Sequence, residues 1–448
     1  MLRRSDILEA RVPRYTSYPT APQFHAGVTG ETAADWLDEL PAGMPLSLYL
    51  HIPFCDTLCW FCGCHTKIVN SYSPVASYLD FLAIEIARVA EIVGPGHPVP
   101  HIHWGGGSPT MLTPDDVAKL MDWLRTHFDI APDAEFAVEI DPRGLSDEMI
   151  AALAKAGVTR ASIGVQDLDE QVQRTINRIQ PFAVTESAVT RLRAAGISAI
   201  NVDLIYGLPF QSDAHVAHTI EQVLTLDPDR FAVFGYAHVP QFKKHQKLIP
   251  EEALPQGEER AAQFELAHAL LSASGYAAIG LDHFAKPGDP LAVAARDGRL
   301  ARNFQGYTTD TAPALIGFGA SSISALPQGY VQNRTEVRAW REAITEGHLP
   351  VARGIALSDN DRLRRTIIER LMCDLSVDLD KVAAPFGRRA RDFAHEFAML
   401  APLADCGLVV REGAVLRVPA EARSAVRLIC AVFDTYLPQS KAVHAPAV

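Results

Sequence analysis

Residues 46–64 read LSLYLHIPFCDTLCWFCGC. Apart from Ser47 and His51, the first eight are apolar or aromatic, in the density that a buried strand carries. Pro53 ends the run, and a short loop follows with cysteines at 55, 59, 62 and 64. A strand that empties into such a loop sets the pattern for the next two hundred residues. Five more β-rich runs follow, each closed by a polar or glycine-rich loop. They are 102–105, 135–142 (EFAVEIDP), 160–167 (RASIGVQD), 199–207 (AINVDLIYG) and 230–240 (RFAVFGYAHVP).

Amphipathic helices fill the gaps. Leu79, Leu82, Ile86, Val89 and Val93 repeat at helical spacing and make one apolar stripe. Thr113-Pro114-Asp115-Asp116 supplies an N-cap, a proline in the first turn and first-turn acids. The spacing predicts further helices over 146–157, 184–196 and 215–226, the first two ending at glycine. Strands alternating with helices imply βα units on a parallel sheet, in which ligand chemistry sits at the C-terminal strand ends. Six units are fewer than a closed eight-stranded barrel needs. The expected fold is therefore α/β: a partial (β/α)6 TIM-like barrel with an N-terminal arm and a mainly helical C-terminal domain.

The domain expectation is an arm over 1–40, a partial barrel with its extension over 41–350, and a helical domain over 351–448. The arm has too little apolar surface to fold alone. Residues 280–324 read as a long irregular stretch, a length that is usually functional. The last region carries a short hairpin near 407–419 (GLVVREGAVLRVP) and so reads as winged-helix-like.

Net charge is −12 over 448 residues. That counts against nonspecific nucleic-acid binding, which needs a basic surface, and so against a DNA-binding role for the C-terminal helices. The N-terminus lacks the apolar core of a signal peptide, and no apolar run approaches a membrane span. The expectation is a cytoplasmic protein with no membrane span. Cys373, Cys406 and Cys430 are scattered in apolar contexts, as buried small hydrophobes are. An odd total of seven cysteines without a secretion signal argues against a disulfide framework.

The clustered four need a metal centre. Structural zinc sites supply two cysteine pairs, and no second pair follows here. Three thiolates on one short loop, Cys55, Cys59 and Cys62, can hold three irons of a [4Fe–4S] cluster and leave the fourth open. Cys64 lies two residues from Cys62, a poor spacing for the same cluster. Gly105-Gly106-Gly107-Ser108 after the second strand lets backbone approach a ligand, although a tight turn also explains such a run. Tyr49 suits either the core or a cofactor. Glu139, Gln166, Arg178 and Asp203 are polar groups in or after apolar strands. Each alone reads as a paired core group, and several on successive strands favour a ligand. Asp203 suits ribose hydroxyls and Glu139 an ammonium group.

The spacing CxxxCxΦC, with Phe61 as the aromatic, resembles the signature of radical S-adenosylmethionine (SAM) enzymes. The wider chain resembles oxygen-independent coproporphyrinogen III oxidases, through RYTSYPTA, LYLHIPFC, HWGGGSPTML, EIDPR, SIGVQD, NVDLIYGLP, YAHVP, LDHFAKP, RNFQGYTT and ICAVFDTYL. The resemblance implies oxidative decarboxylation of two propionates of coproporphyrinogen III to vinyl groups, giving protoporphyrinogen IX. It implies a cluster on Cys55, Cys59 and Cys62 but not Cys64, and two SAM molecules. Tyr49, Gly106, Glu139, Arg178 and Asp203 would contact the first. Gly107, Ser108, Gln166, Ala237 and Ile323 match positions for one or other cofactor, and Gln305 lies in a matching segment near them. Tyr49 and Gln305 are the expected catalytic pair, and Arg14 and Tyr15 on the arm would fold over substrate. Trp60 stands where a tyrosine is common, and Ser108 where a threonine is. An electron donor and acceptor are implied but not identified, and a monomer is expected. The alternative is a haem-binding chaperone of the same superfamily, against which RYTSYPT and Cys64 count.

Overall fold

A computed structural model describes residues 10–439. Residues 1–9 and 440–448, at the outer ends of the expected arm and C-terminal domain, lie outside the described residues.

The six expected strands are β1 (Leu46–Ile52), β2 (Pro98–Gly106), β3 (Asp129–Ile140), β4 (Arg160–Gln166), β5 (Ala199–Tyr206) and β6 (Arg230–Gly235). They pair in chain order, all parallel. Every residue of β1 is buried, which is why its sequence is nearly continuously apolar rather than alternating. Helices join them: α2 (Ser73–Val93), α3 (Pro114–His127), α4 (Asp147–Ala156), α5 (Phe182–Ala194) and α6 (Asp213–Leu224), in chain order. The stripe of α2 is buried as its spacing requires. Thr113 caps α3 by accepting from the Asp116 amide at 3.2 Å. Gly157 ends α4 in the left-handed conformation, at φ 97°.

The sheet is wider than six strands. β7 (Ala277–Ile279), β8 (His283–Ala285), β9 (Ala314–Phe318), β10 (Ile323–Leu326), β11 (Gly329–Asn333) and β12 (Val351–Ala356) complete it in the order β12-β11-β10-β9-β1-β2-β3-β4-β5-β6-β8-β7. β9 is a seventh parallel strand, paired to β1 with Tyr49 opposite Gly317. The outer strands are antiparallel. The two ends do not pair, so the barrel is partial.

Two expectations are corrected, on residues 280–324 and on the boundary at 350, and the arm holds a helix that its sequence did not announce. Residues 280–324 are not irregular: besides β8, β9 and the start of β10 they hold a helix at Pro290–Arg296 and a ribbon of Ala301–Asn303 with Gly306–Thr308. These pieces run three to seven residues, too short for alternation to show. The arm contains α1 (Gly30–Asp38), which packs on the sheet through Ala33 and Leu37. β12 carries the large sheet six residues past the expected boundary at 350.

Beyond it lie α9 (Asp359–Asp374), α10 (Ala394–Asp405) and α11 (Val426–Val432), with the hairpin Val410–Glu412/Val415–Arg417. A third strand, Ser376–Asp378, pairs with that hairpin to make a three-stranded sheet. α8 (Val337–Thr345) packs against α2. Among the described residues no helix is long and apolar enough to cross a membrane.

Candidate active site

The cysteine loop leaves β1 at its C-terminal end and is tied down from two sides. Asn177 Nδ2 donates to the Leu58 carbonyl at 2.8 Å, and the Trp60 amide donates to Ile176 O at 2.9 Å. From the other side Gln246 Nε2 donates to Phe61 O at 3.0 Å, His245 Nε2 bonds Cys62 O at 2.8 Å and Lys243 Nζ donates to Cys64 O at 2.8 Å. Cys59 is buried, Cys55 and Cys62 are half-buried and Cys64 is exposed.

Two guanidiniums point at Cys59 Sγ: Arg143 Nη2 at 3.5 Å and Arg178 Nη1 at 3.6 Å. Asp141 orients both, bonding Arg143 Nη2 at 2.6 Å and Arg178 Nη1 at 3.1 Å. Two cationic donors on one sulfur suit the electron-rich sulfur of a metal-bound cysteine. Among the described residues the thiols are not gathered on one point as ligands of a single ion would be. A four-iron cluster does not ask for that, since each thiolate takes a different iron. The donor set therefore fits the cluster.

The glycine loop is locked to the base of the cysteine loop. The Gly107 amide donates to Ile52 O and the Ser108 amide to Phe54 O, both at 2.8 Å. A Cβ on Gly107 would lie 2.5 Å from the Phe54 oxygen, and one on Gly105 would lie 2.7 Å from the Glu139 carboxylate. These positions need glycine for close approach within the chain itself, to the Phe54 backbone and the Glu139 carboxylate. The Gly106 amide donates to Glu139 Oε2 at 3.1 Å, and His103 Nε2 bonds Oε1 at 3.2 Å. Burial opposes ionisation of Glu139, but these bonds outweigh it and hold its pKa below the ordinary carboxylate value.

Asp203 behaves oppositely. Burial, then the neighbouring Glu139 charge, pushes it up to about 6 against hydrogen bonds from Asn201 Nδ2 at 2.8 Å and Ser162 Oγ at 3.2 Å. Glu139, Asp203 and Gln305 share a cavity of about 200 Å³ with Leu48, His103 and Ser162. Gln305 Oε1 is buried there with no hydrogen-bond partner, an acceptor left for a ligand.

Gln166 sits at φ 71°, in the left-handed region, beside a register shift in β4. Such a bulge re-aims a strand-end side chain. Arg178 Nη2 fixes the bulge by donating to Gly164 O at 2.6 Å.

Residues 49–223 match the radical SAM superfamily, and residues 357–424 match the HemN C-terminal domain. The oxygen-independent coproporphyrinogen III oxidase of Bradyrhizobium diazoefficiens is 50% identical over 440 residues, 98% of each chain. This chain belongs to the oxygen-independent coproporphyrinogen III oxidase family. The Escherichia coli K12 relative is 40% identical over 428 residues, covering 95% of this chain and 93% of that one. The solved E. coli coproporphyrinogen III oxidase (HemN), described as a radical SAM enzyme, superposes with TM-score 0.91 at 39% identity, over 95% of this chain and all of that one.

Within this oxidase fold the remaining expected residues are spread around the mouth. Tyr49 is buried in β1, its hydroxyl bonded to His51 Nδ1 at 3.0 Å. Ala237 follows β6, and its carbonyl accepts from Gln246 Nε2 at 3.2 Å, linking it to the cysteine loop. Ile323 opens β10 on the opposite flank, against Gly317. Neither Ala237 nor Ile323 lines the cavity of Glu139 and Asp203.

The sequence reading missed His51, His103 and Arg143. His51 stands two residues after Tyr49 in a strand, so the two share a face by period alone. Its Nε2 bonds His65 O at 3.0 Å, and Gly106 lacks the Cβ that would strike its ring. Arg143 closes the segment EIDPR, four residues after Glu139 and just past the strand end.

Proposed function

We propose that this chain decarboxylates two propionates of coproporphyrinogen III to vinyl groups, giving protoporphyrinogen IX, in the cytoplasm. Each propionate gives up carbon dioxide, a proton and two electrons as its Cα–Cβ bond becomes the vinyl double bond. The observation that carries this reading is the meeting of three elements at one barrel mouth: the cysteine loop, the Glu139–Asp203 cavity and the RYTSYP arm. Arg14 of that arm donates from Nη2 to Gly235 O at 3.0 Å, at the end of β6.

Cys55, Cys59 and Cys62 would hold the [4Fe–4S] cluster, and Cys64 would not. When bound, the cluster and SAM supply a 5′-deoxyadenosyl radical strong enough to take hydrogen from an unactivated C–H bond. Around that chemistry the chain's own groups position and exclude. Arg143 and Arg178 place positive charge on the thiolate of Cys59. Glu139, kept ionised, accepts an ammonium group, and Asp203 accepts ribose hydroxyls. Gly106, Gly107 and Ser108 bring backbone to the ligand, with Tyr49, Arg178 and Gln166 flanking it. Gln305 offers its open acceptor on the substrate side, and Ala237 and Ile323 would serve one or other SAM. The arm and the region from about residue 357 close over the mouth, keeping reactive intermediates from water. The chain works with an external electron donor and acceptor, as a monomer.

Anaerobic incubation of the reconstituted protein with coproporphyrinogen III, SAM and a reductant tests the reading. The expected products are the mono- and divinyl porphyrinogens. Haem binding without any vinyl product would favour the chaperone instead.

A further inference from the structure

A second chamber of about 330 Å³ adjoins the Glu139–Asp203 cavity, the two sharing Phe234 and Gln305 in their walls. It reaches Cys64 and is built where the arm, the barrel and the C-terminal helices meet. Four arginines face it: Arg14 from the arm, Arg260 from α7 (Gly257–Ala273), Arg302 from the ribbon and Arg427 from α11. One carboxylate, Asp282, faces them, and it already bonds His283 Nδ1 at 2.8 Å. The chain as a whole carries −12, so this local excess of positive charge is placed, not average.

Each guanidinium is held. Arg302 Nε donates to Tyr15 O at 3.3 Å, and its head lies 4.3 Å from the centre of the Tyr307 ring. Arg302 Nη1 is buried and makes no hydrogen bond. Arg260 stacks over Tyr206 at 5.2 Å. Gly207 and Gly235 are bare where any Cβ would strike the Arg260 head, so two strand ends are stripped of side chain to seat it. Arg427 is buried, whereas Arg14 is open to the chamber. Burial, with repulsion among the cations, pushes Arg260 and Arg427 down, Arg427 to about 10. One lining carboxylate faces four lining guanidiniums, and the buried Arg302 Nη1 is left for an arriving anion to pair. The planar fork of arginine matches a carboxylate in particular.

We infer that this chamber binds the substrate's propionate carboxylates, with Arg14, Arg260, Arg302 and Arg427 as positioning residues that hold the macrocycle while another propionate faces the cofactor cavity. The inference rests on the proposed function. Because the two cavities meet at Gln305 and Phe234, a carboxylate anchored in one leaves the rest of the molecule to extend into the other.

The test uses the iron-loaded holoenzyme and coproporphyrin III, the stable oxidised tetra-acid, titrated by fluorescence beside its uncharged tetra-amide. Arg14→Gln, Arg260→Gln and Arg427→Gln should each weaken tetra-acid binding by about 10-fold or more. They should leave the weak binding of the tetra-amide unchanged. Turnover should show a raised KM for coproporphyrinogen III with SAM affinity and the EPR spectrum of the reduced cluster unaltered. Variants with normal iron content that bind the tetra-acid as tightly as wild type overturn the inference. So does a wild type that does not distinguish acid from amide. Arg14→Gln decides the matter if the other two variants misfold, because Arg14 is open to solvent. Failure of the proposed function looks different: a wild type that binds the tetra-acid through these arginines yet forms no vinyl product.

Discussion

Gly107→Ala should disconnect the glycine loop from the cysteine loop. The new Cβ would lie 2.5 Å from the Phe54 oxygen and 2.8 Å from its nitrogen. Both obstacles are backbone, so no rotamer change relieves them. Reaching ordinary contact requires the segments to part by roughly 0.9 Å. The Gly107–Ile52 and Ser108–Phe54 bonds, now 2.8 Å each, would then stretch past hydrogen-bonding range. Two lost bonds at about 1 kcal/mol each, with poorly satisfied donors left behind, give a cost of about 2–5 kcal/mol. The measurement is urea or thermal unfolding of the apoprotein, beside Gly288→Ala, whose Cβ meets nothing within 4 Å. Equilibrium dialysis of SAM on the holoprotein reads the second consequence, a loss of about 10-fold or more, one decade per 1.4 kcal/mol of misplacement. Gly107→Ala as stable as Gly288→Ala, with unchanged SAM affinity, would refute the locking of the two loops.

Glu85 gives a pH prediction far from the cysteines. It is fully buried on α2 and accepts from the Gly319 amide at 2.8 Å, Asn333 Nδ2 at 2.7 Å and Trp340 Nε1 at 3.1 Å. Burial outweighs these bonds and pushes it up to about 7 from 4.5. A carboxyl raised on folding adds stability below its unfolded pKa and loses that stability as pH climbs through the folded one. From pH 5 to 9 wild type should therefore lose about 2–3 kcal/mol more than Glu85→Gln. Parallel stability–pH curves would contradict this. Gly280→Ala, at φ 53°, drives a Cβ into the Tyr307 ring, whose hydroxyl accepts from Leu281 N at 2.9 Å and donates to Met372 O at 2.8 Å. It should destabilise by about 3–5 kcal/mol, more than Tyr307→Phe, and equal losses would mean that the ring can move aside. Cys62→Ser should cost the iron–sulfur absorbance and most of the iron, whereas Cys64→Ser should keep both. Equal iron loss in the two would reinstate Cys64 as a ligand.

The parallel strands β1–β6 were legible because each carries β-branched and apolar residues at its buried positions and a loop signal at its end. Their helices were legible because caps and stripes are local. β9 was not. ALIGF is five residues between Pro313 and Gly319, and its status as a strand comes from pairing with Leu46–Leu50, some 270 positions earlier in the chain. Nothing local marks a strand that exists because a distant edge awaits it. The helix α1 escaped for a related reason: nine residues with two buried side chains become a helix chiefly by docking on the sheet.

The site divides along the same line. Cysteines on one loop and glycines on the next are each local patterns, so the sequence displays them. The arginine chamber is assembled from residues 14, 260, 302 and 427, which no window brings together. Singly, each arginine reads as an ordinary cation. Only the fold shows that they face one space with a single carboxylate among them. The glycines carry the surviving trace. Gly207 in NVDLIYGLP and Gly235 in RFAVFGYAHVP end successive strands, and a strand-end glycine reads as a turn until the side chain lying over it is known. Here that side chain is Arg260 in both cases. Paired bare strand ends in a parallel sheet thus point to a long side chain laid across them. In this chain they place a cation at the barrel mouth, where an anionic substrate would have to enter.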